Sequence, residues 1–167
     1  MPRERPEWLP AGRVGRPHGL DGSFHVTRPR AALLRLGAAV RIGDRETAIV
    51  RRAGTDERPI LRLDGVSGRE AAEALRGAEL RCARAEAPAL DEQEWWAEDL
   101  ERCRVTDGDR EVGVVIRLLA LPSCEVLEVE RPEGARALLV PMVRDAIRSV
   151  DVDAGRIDVD LAFLGEA

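Results

Sequence analysis

The sequence predicts a mostly β protein made of two small barrels, and three observations carry that prediction. Short runs of alternating apolar and polar residues recur along the chain, each closed by Gly, Pro, Asp or Ser, the pattern of sandwiches and barrels. The charge changes sign midway. Residues 1–88 hold 17 Arg against 12 acids, a net of +5, and residues 89–167 hold 9 Arg against 19 acids, a net of −10. Between the two, residues 85–91 contain Pro88 and little periodicity, so the linker is placed there. One domain over 1–88 and a second over 89–167 each have about 80 residues, enough for a closed small barrel with limited core.

The elements follow in order. Ser23–Arg28 alternates, with Phe24 and Val26 on one face and His25 and Thr27 on the other. Ala38–Ile42, Thr47–Arg51 and Ile60–Leu63 are further strands. A helix then interrupts: Ser67-Gly68-Arg69-Glu70 reads as a capping box, Ala71, Ala74 and Leu75 form its apolar stripe, and Gly77 ends it. After the linker, Cys103–Thr106 runs into an Asp107-Gly108 turn, followed by Glu111–Leu119, Glu125–Arg131 and Leu138–Val140. Ser149–Val152 and Ile157–Leu161 flank Asp153-Ala154-Gly155-Arg156 as a hairpin, with Val150 and Val152 expected to face Val159 and Ile157.

Composition excludes several chemistries. All 26 basic residues are arginine, so neither a P-loop lysine nor a Schiff-base lysine exists. The only nucleophilic hydroxyls are four serines and four threonines, and His18 and His25 are the only histidines. No G-x-S-x-G elbow or H-E-x-x-H motif is present, and an enzyme is not expected. Cys82, Cys103 and Cys124 lack C-x-x-C spacing, which fits reduced thiols in a cytosolic protein and argues against a zinc site. Asp151, Asp153, Asp158 and Asp160 fail the register of a calcium loop and read as a solvated hairpin face. No cofactor and no metal are expected. The first twenty residues hold no apolar signal region, and the apolar runs are far too short to span a bilayer.

Two features remain for function. The first is Gly12-Arg13-Val14-Gly15-Arg16-Pro17-His18-Gly19-Leu20-Asp21-Gly22, a loop of four glycines and a proline that also holds two arginines and a histidine. It reads first as turn architecture, its glycines supplying positive φ. A compatible second role is phosphate contact through Arg13, Arg16 and His18. The second feature is Trp95-Trp96, side by side in a chain of five aromatic residues and no tyrosine. In an extended segment one core cannot take both rings. Either both are buried between the two domains, or one is a docking anchor, as Trp often is at interfaces. Trp96 is expected to be the more buried and Trp95 the more exposed.

Taken together, these blocks resemble a known family. Gly15-Arg16-Pro17-His18-Gly19-Leu20-Asp21-Gly22 closely resembles the N-terminal signature of the RimM family, the bacterial ribosome maturation factors. Ser67–Arg76 with Gly77-Ala78-Glu79-Leu80 is similar to the end of that family's first domain. Glu94-Trp95-Trp96-Ala97-Glu98-Asp99-Leu100 resembles the aromatic pair and Asp-Leu that open its PRC barrel. Val140-Pro141-Met142-Val143 and residues 150–160 are similar to its closing strands. The blocks fall in family order from about Ala11 to Leu161.

The resemblance implies a six-stranded barrel like those of translation factors, followed by a PRC barrel. It implies a non-enzymatic assembly factor that binds the immature small ribosomal subunit through ribosomal protein nineteen of the head and assists rRNA processing. It carries the ribosomal-protein site to Trp95 and Trp96, and a cytoplasmic monomer with no membrane partner is expected. A PRC-barrel binding module acting outside ribosome assembly is the alternative. There are three departures. Ser23 stands where an acid often follows the glycine loop. Glu101-Arg102 replaces an apolar-glycine pair. Trp-Trp stands where tyrosine is frequent, so ring area and the indole N–H are the usable features.

Overall fold

The computed structural model describes residues 3–166 and divides into two units. The first spans Pro6–Ala89. The second runs from Leu90 onward and takes in the segment that ends at Arg5.

In the first unit, β1 (Trp8–His18), β2 (Ser23–Thr27), β3 (Ala39–Ile42), β4 (Arg45–Gly54), β5 (Pro59–Leu63) and β6 (Glu79–Ala83) close into a barrel in the order β1-β2-β5-β4-β3-β6. Every pair is antiparallel, and closure leaves no exposed edge to pair with another chain. Alternation fills the interior. Phe24 and Val26 of β2, Leu61 and Leu63 of β5, and Val40, Ile49 and Leu80 from the other strands are all buried. Trp8 sits on the outside, with the Arg41 guanidinium 4.2 Å from its ring centre, close enough for a cation–π contact.

The segment expected as a loop is instead most of the longest strand of this barrel. Gly12 to His18 belong to β1, and only Gly19–Gly22 forms the turn. Glycine and proline lower strand propensity, which hides β1 in the sequence, yet here they are what the strand needs. Pairing slips between Pro10 and Gly12 against β6, and again between Val14 and Pro17 against β2. Each slip is a β-bulge that bends the strand around the barrel. A side chain at Gly12 would lie 2.6 Å from Val26 Cγ1, and one at Gly15 would lie 2.8 Å from the His25 carbonyl oxygen. The strands therefore approach as closely as they do only because both positions are bare.

The helix α1 (Arg69–Ala74) is present, but the capping box is not. Gly68 is its N-cap at φ 85, and no side chain caps it. The positive φ starts the helix one residue later than expected and leaves Ser67 exposed. Gly77 has φ 85 as expected, and its N–H donates to the Val14 carbonyl at 2.8 Å.

The second unit contains α2 (Ala97–Leu100), β7 (Arg104–Asp107), β8 (Arg110–Ala120), β9 (Glu125–Glu130), β10 (Leu138–Pro141), β11 (Ile147–Asp151) and β12 (Arg156–Val159). The strands form a six-stranded sheet in the order β10-β9-β8-β7-β12-β11, curled into a half-barrel. Its one parallel pair joins β12 to β7. Leu100, Cys103, Val105, Leu127, Val129, Val140, Ile157 and Val159 make the core. In the last hairpin the register differs from the expected one: Val150 pairs with Ile157 and not with Val159, and Ile147 stands opposite Val159. Val152 falls in the turn, where Asp151 Oδ1 accepts the Ala154 N–H at 2.8 Å and Gly155 takes φ 64.

The hairpin aspartates are not merely a solvated face. Arg148 reaches Asp107 at 2.7 Å, Asp158 at 3.4 Å and Asp160 at 3.3 Å. Asp160 also accepts the Phe163 N–H at 2.9 Å. That bond first, and Arg148 after it, hold the Asp160 carboxyl below the usual carboxylate range. Asp153 accepts from Arg5 at 2.5 Å, and the Arg3 guanidinium donates to the carbonyls of Asp99 and Glu101 and to Cys103 Sγ. Burial pushes the Cys103 thiol up. Arg102 has φ 65, a conformation that suits glycine, at the place where the family resemblance leads one to expect glycine.

Candidate functional site

Trp95 and Trp96 lie at the entrance to the second unit, where residues 94–96 are irregular and α2 begins. Trp96 is extended at φ −70 and ψ 138, and its carbonyl accepts the Asp99 N–H at 2.9 Å, opening the helix. Both indoles are half-buried. Trp95, expected to face outward, packs against the core cluster. The reason is local: Leu100 and Cys103 of that cluster follow within eight residues, and the short helix folds the preceding strand-like segment back over them.

Trp95 also lines a groove of about 560 Å³ with Met142, Val143, Ile147 and Val150, joined by Gln93, Arg144 and Arg148. The apolar residues come from the β10–β11 connection and from β11, so one sheet end positions the groove. Its two arginines differ. Arg148 is matched by three aspartates, and Arg144 donates to Gln93 Oε1 at 3.1 Å. The chain just before Trp95 presents exposed Asp91, Glu92 and Glu94. An apolar groove beside acids is suited to a basic protein carrying an apolar side chain.

The residues flagged at the start of the chain separate. Arg13 donates to the Gly77 carbonyl at 3.1 Å, and Thr27 Oγ1 is 3.5 Å from the Arg13 carbonyl, so Arg13 ties β1 to the segment before β6. Arg16 sits in the second bulge, exposed, and no carboxylate pairs with it or with His18 among the described residues. His18 is exposed and meets His25 edge to face, with ring centres 5.1 Å apart. Burial, then the charges of Arg16 and His18, hold the His25 imidazole below its usual pKa.

The one acid of the turn is already engaged. Asp21 accepts the Ser23 N–H at 3.0 Å and Arg51 at 3.2 Å, with Arg62 at 3.9 Å. Bonds from Ser23 first, and the two arginines with them, hold its carboxyl low. Ser23, in place of the acid often found there, is buried and takes a 2.9 Å bond from Arg51. The turn therefore carries Arg16, His18 and His25 on one surface with its acid neutralised. His25 was passed over as a site residue, although alternation had already set it on the outer face opposite Phe24.

Comparison with known proteins agrees with this architecture. Residues 9–87 match the RimM N-terminal domain and residues 97–163 match the RimM PRC barrel domain. A protein named ribosome maturation factor RimM from Sorangium cellulosum is 37% identical over 166 residues, covering 94% of this chain and 95% of that one. Its namesake from Frankia alni is 35% identical, covering 92% and 94%. The RimM crystal structure from Pseudomonas aeruginosa is 26% identical, covers 92% of this chain and 96% of its own, and has a TM-score of 0.41. With two domain matches in order and relatives alike over nearly full length, the chain belongs to the RimM family of ribosome maturation factors.

Proposed function

We propose that this protein is a non-enzymatic ribosome maturation factor that binds the immature small subunit and assists assembly of its head and processing of its rRNA. The second unit docks on a basic ribosomal protein of the head, number nineteen by family resemblance, through Trp95 and Trp96. The first unit rests on rRNA phosphates through Arg16 and His18. Family membership supports the setting, and the groove at Trp95, apolar and preceded by exposed acids, carries the choice of a protein partner. A net charge of −5 weakens attraction to free RNA, so protein contact supplies much of the specificity.

Co-sedimentation tests this reading directly. The protein is expected to travel with free small subunits and hardly at all with large subunits or whole ribosomes. Equal recovery with all three particles, or none with small subunits, overturns it.

A second expectation separates the two arginines. Arg16→Ala should lower the salt slope of small-subunit binding by about 1, the loss of one phosphate contact. Arg13→Ala should leave the slope unchanged and lower barrel stability instead, because its guanidinium is committed to Gly77. Binding measured between 50 and 200 mM salt, on the order used for such slopes, decides it. An unchanged slope for Arg16→Ala makes that residue part of the bulge and nothing more.

A further inference from the structure

We propose that the β1–β2 turn is a clamp for an unpaired, unstacked nucleotide, with Leu20 meeting the base and Arg16, His18 and His25 holding the adjoining phosphate. The proposal rests on the reading that the first unit touches rRNA, and it goes further by naming the kind of RNA.

Leu20 is 80% exposed, more than any other large apolar residue among the described residues. A single exposed leucine is ordinary. What sets this one apart is its mounting. It stands at the tip of a four-residue turn whose far end is pinned: a side chain at Gly22 would lie 2.5 Å from the Val66 carbonyl oxygen, so the turn lies flush against that backbone. Asp21 beside it is fixed by the Ser23 N–H and Arg51. The leucine is thus held out on a rigid support. On the two strands that enter and leave the turn stand Arg16, exposed in its bulge, and two imidazoles in edge-to-face contact.

An apolar tip beside cationic and N–H donors, with the neighbouring Asp21 carboxylate already engaged by Ser23 and Arg51, has the complementarity of a nucleic-acid strand. Phosphates take the arginine and imidazole N–H groups, and the base face takes the leucine and the exposed edge of His18. A continuous A-form duplex does not offer that second contact, because its base faces are stacked and its deep groove is closed to side chains. Loops, bulges and single strands do offer it, and apolar or aromatic contact with an unstacked base is a common source of their recognition. Charge complementarity also favours RNA over a basic protein at this turn, since the Arg16 guanidinium is exposed beside it and no carboxylate pairs with it among the described residues.

Fluorescence anisotropy with three labelled RNAs tests the clamp: a single strand, a hairpin with an unpaired loop, and a fully paired duplex of equal length. The wild-type protein is expected to prefer the two RNAs with unpaired bases over the duplex by about tenfold, the scale of one base contact. Leu20→Ser should erase that preference while leaving duplex binding as it was. Leu20→Phe should preserve or sharpen it. Leu36→Ser, at a residue 66% exposed elsewhere on this unit, should change nothing, and thermal melting of each variant confirms folding.

Equal affinity for paired and unpaired RNA, no RNA binding at all, or a preference that survives in Leu20→Ser overturns the clamp. Co-sedimentation of the same variants with small subunits keeps its failure apart from that of the proposed function. If Leu20→Ser binds all three RNAs as wild type does but loses the subunit, the leucine seats on a protein. The clamp is then wrong while the maturation role stands. If wild-type protein does not bind the subunit at all, the role itself fails.

Discussion

Gly22→Ala is expected to destabilise the first barrel far more than Gly19→Ala, three residues earlier in the same turn. Both glycines have positive φ, +93 and +67, and the left-handed backbone alone costs a non-glycine residue about 1–2 kcal/mol. The difference lies in what a new Cβ would meet. At Gly19 nothing lies within 4 Å. At Gly22 the Cβ would be 2.5 Å from the Val66 oxygen, 3.0 Å from the Val66 carbonyl carbon and 3.2 Å from the Gly68 nitrogen. All three are backbone atoms, and Val66 is buried, so no flexible side chain can yield. Either the turn or the start of α1 must move. A cost of roughly 4 kcal/mol follows from strain and clash together, against about 1 kcal/mol at Gly19. A unit of this size has only about 4–12 kcal/mol to lose. Urea melts followed by circular dichroism, and by emission in a background where Trp95 and Trp96 are replaced by Phe so that only Trp8 reports, measure the gap. Equal midpoints for the two variants would show that the close approach of β2 to Val66 is not a constraint.

That turn also shows what could be read in the sequence. Strands with plain alternation were legible: Phe24 and Val26 face the core where the pattern put them, and the run 60–63 is part of β5. The Gly155 turn was legible because its residue type and its φ agree. β1 was not. Its glycines answer to contacts with Val26 and His25 across the sheet, and a tertiary contact leaves no periodic trace. The same limit governs Arg13 and Arg16. They look alike three residues apart, but one meets Gly77, 64 residues away, and the other is turned out by a bulge that only pairing with β2 reveals. Asp158 and Asp160 of the last hairpin looked solvated because Arg148, their shared partner, is set beside them by strand pairing and not by sequence spacing. The tryptophan pair was conspicuous on composition alone, but its orientation depends on how α2 folds back onto Cys103 and Leu100.

The two tryptophans should fail in different ways when truncated. Trp95 packs on the core of the second unit, so Trp95→Ala removes packed area from beneath the sheet and strips one wall from the groove. Full burial of such a ring is worth about 3–5 kcal/mol on truncation. Trp95 is half-buried, and about 2–3 kcal/mol of folding stability is expected to go. Trp96 follows it in an extended conformation, where successive side chains diverge, and it is not one of the residues packed on this core cluster. If it is the docking anchor, Trp96→Ala should weaken binding to the basic head protein by roughly 2 kcal/mol or more, about thirtyfold, with a smaller loss of stability than Trp95→Ala. The assignment reverses the one that alternation alone suggested, because the core claims Trp95. With no tyrosine present, emission comes from Trp8, Trp95 and Trp96, so each single variant can be followed by its own fluorescence while the ribosomal protein is titrated in. Calorimetry of the same variants supplies the stability half of the comparison. Should both variants lose several kcal/mol of stability and the folded remainder bind at wild-type strength, the pair is packing for this fold and the partner docks elsewhere. Should Trp95→Ala lose binding with its stability intact, the groove wall itself is the anchor.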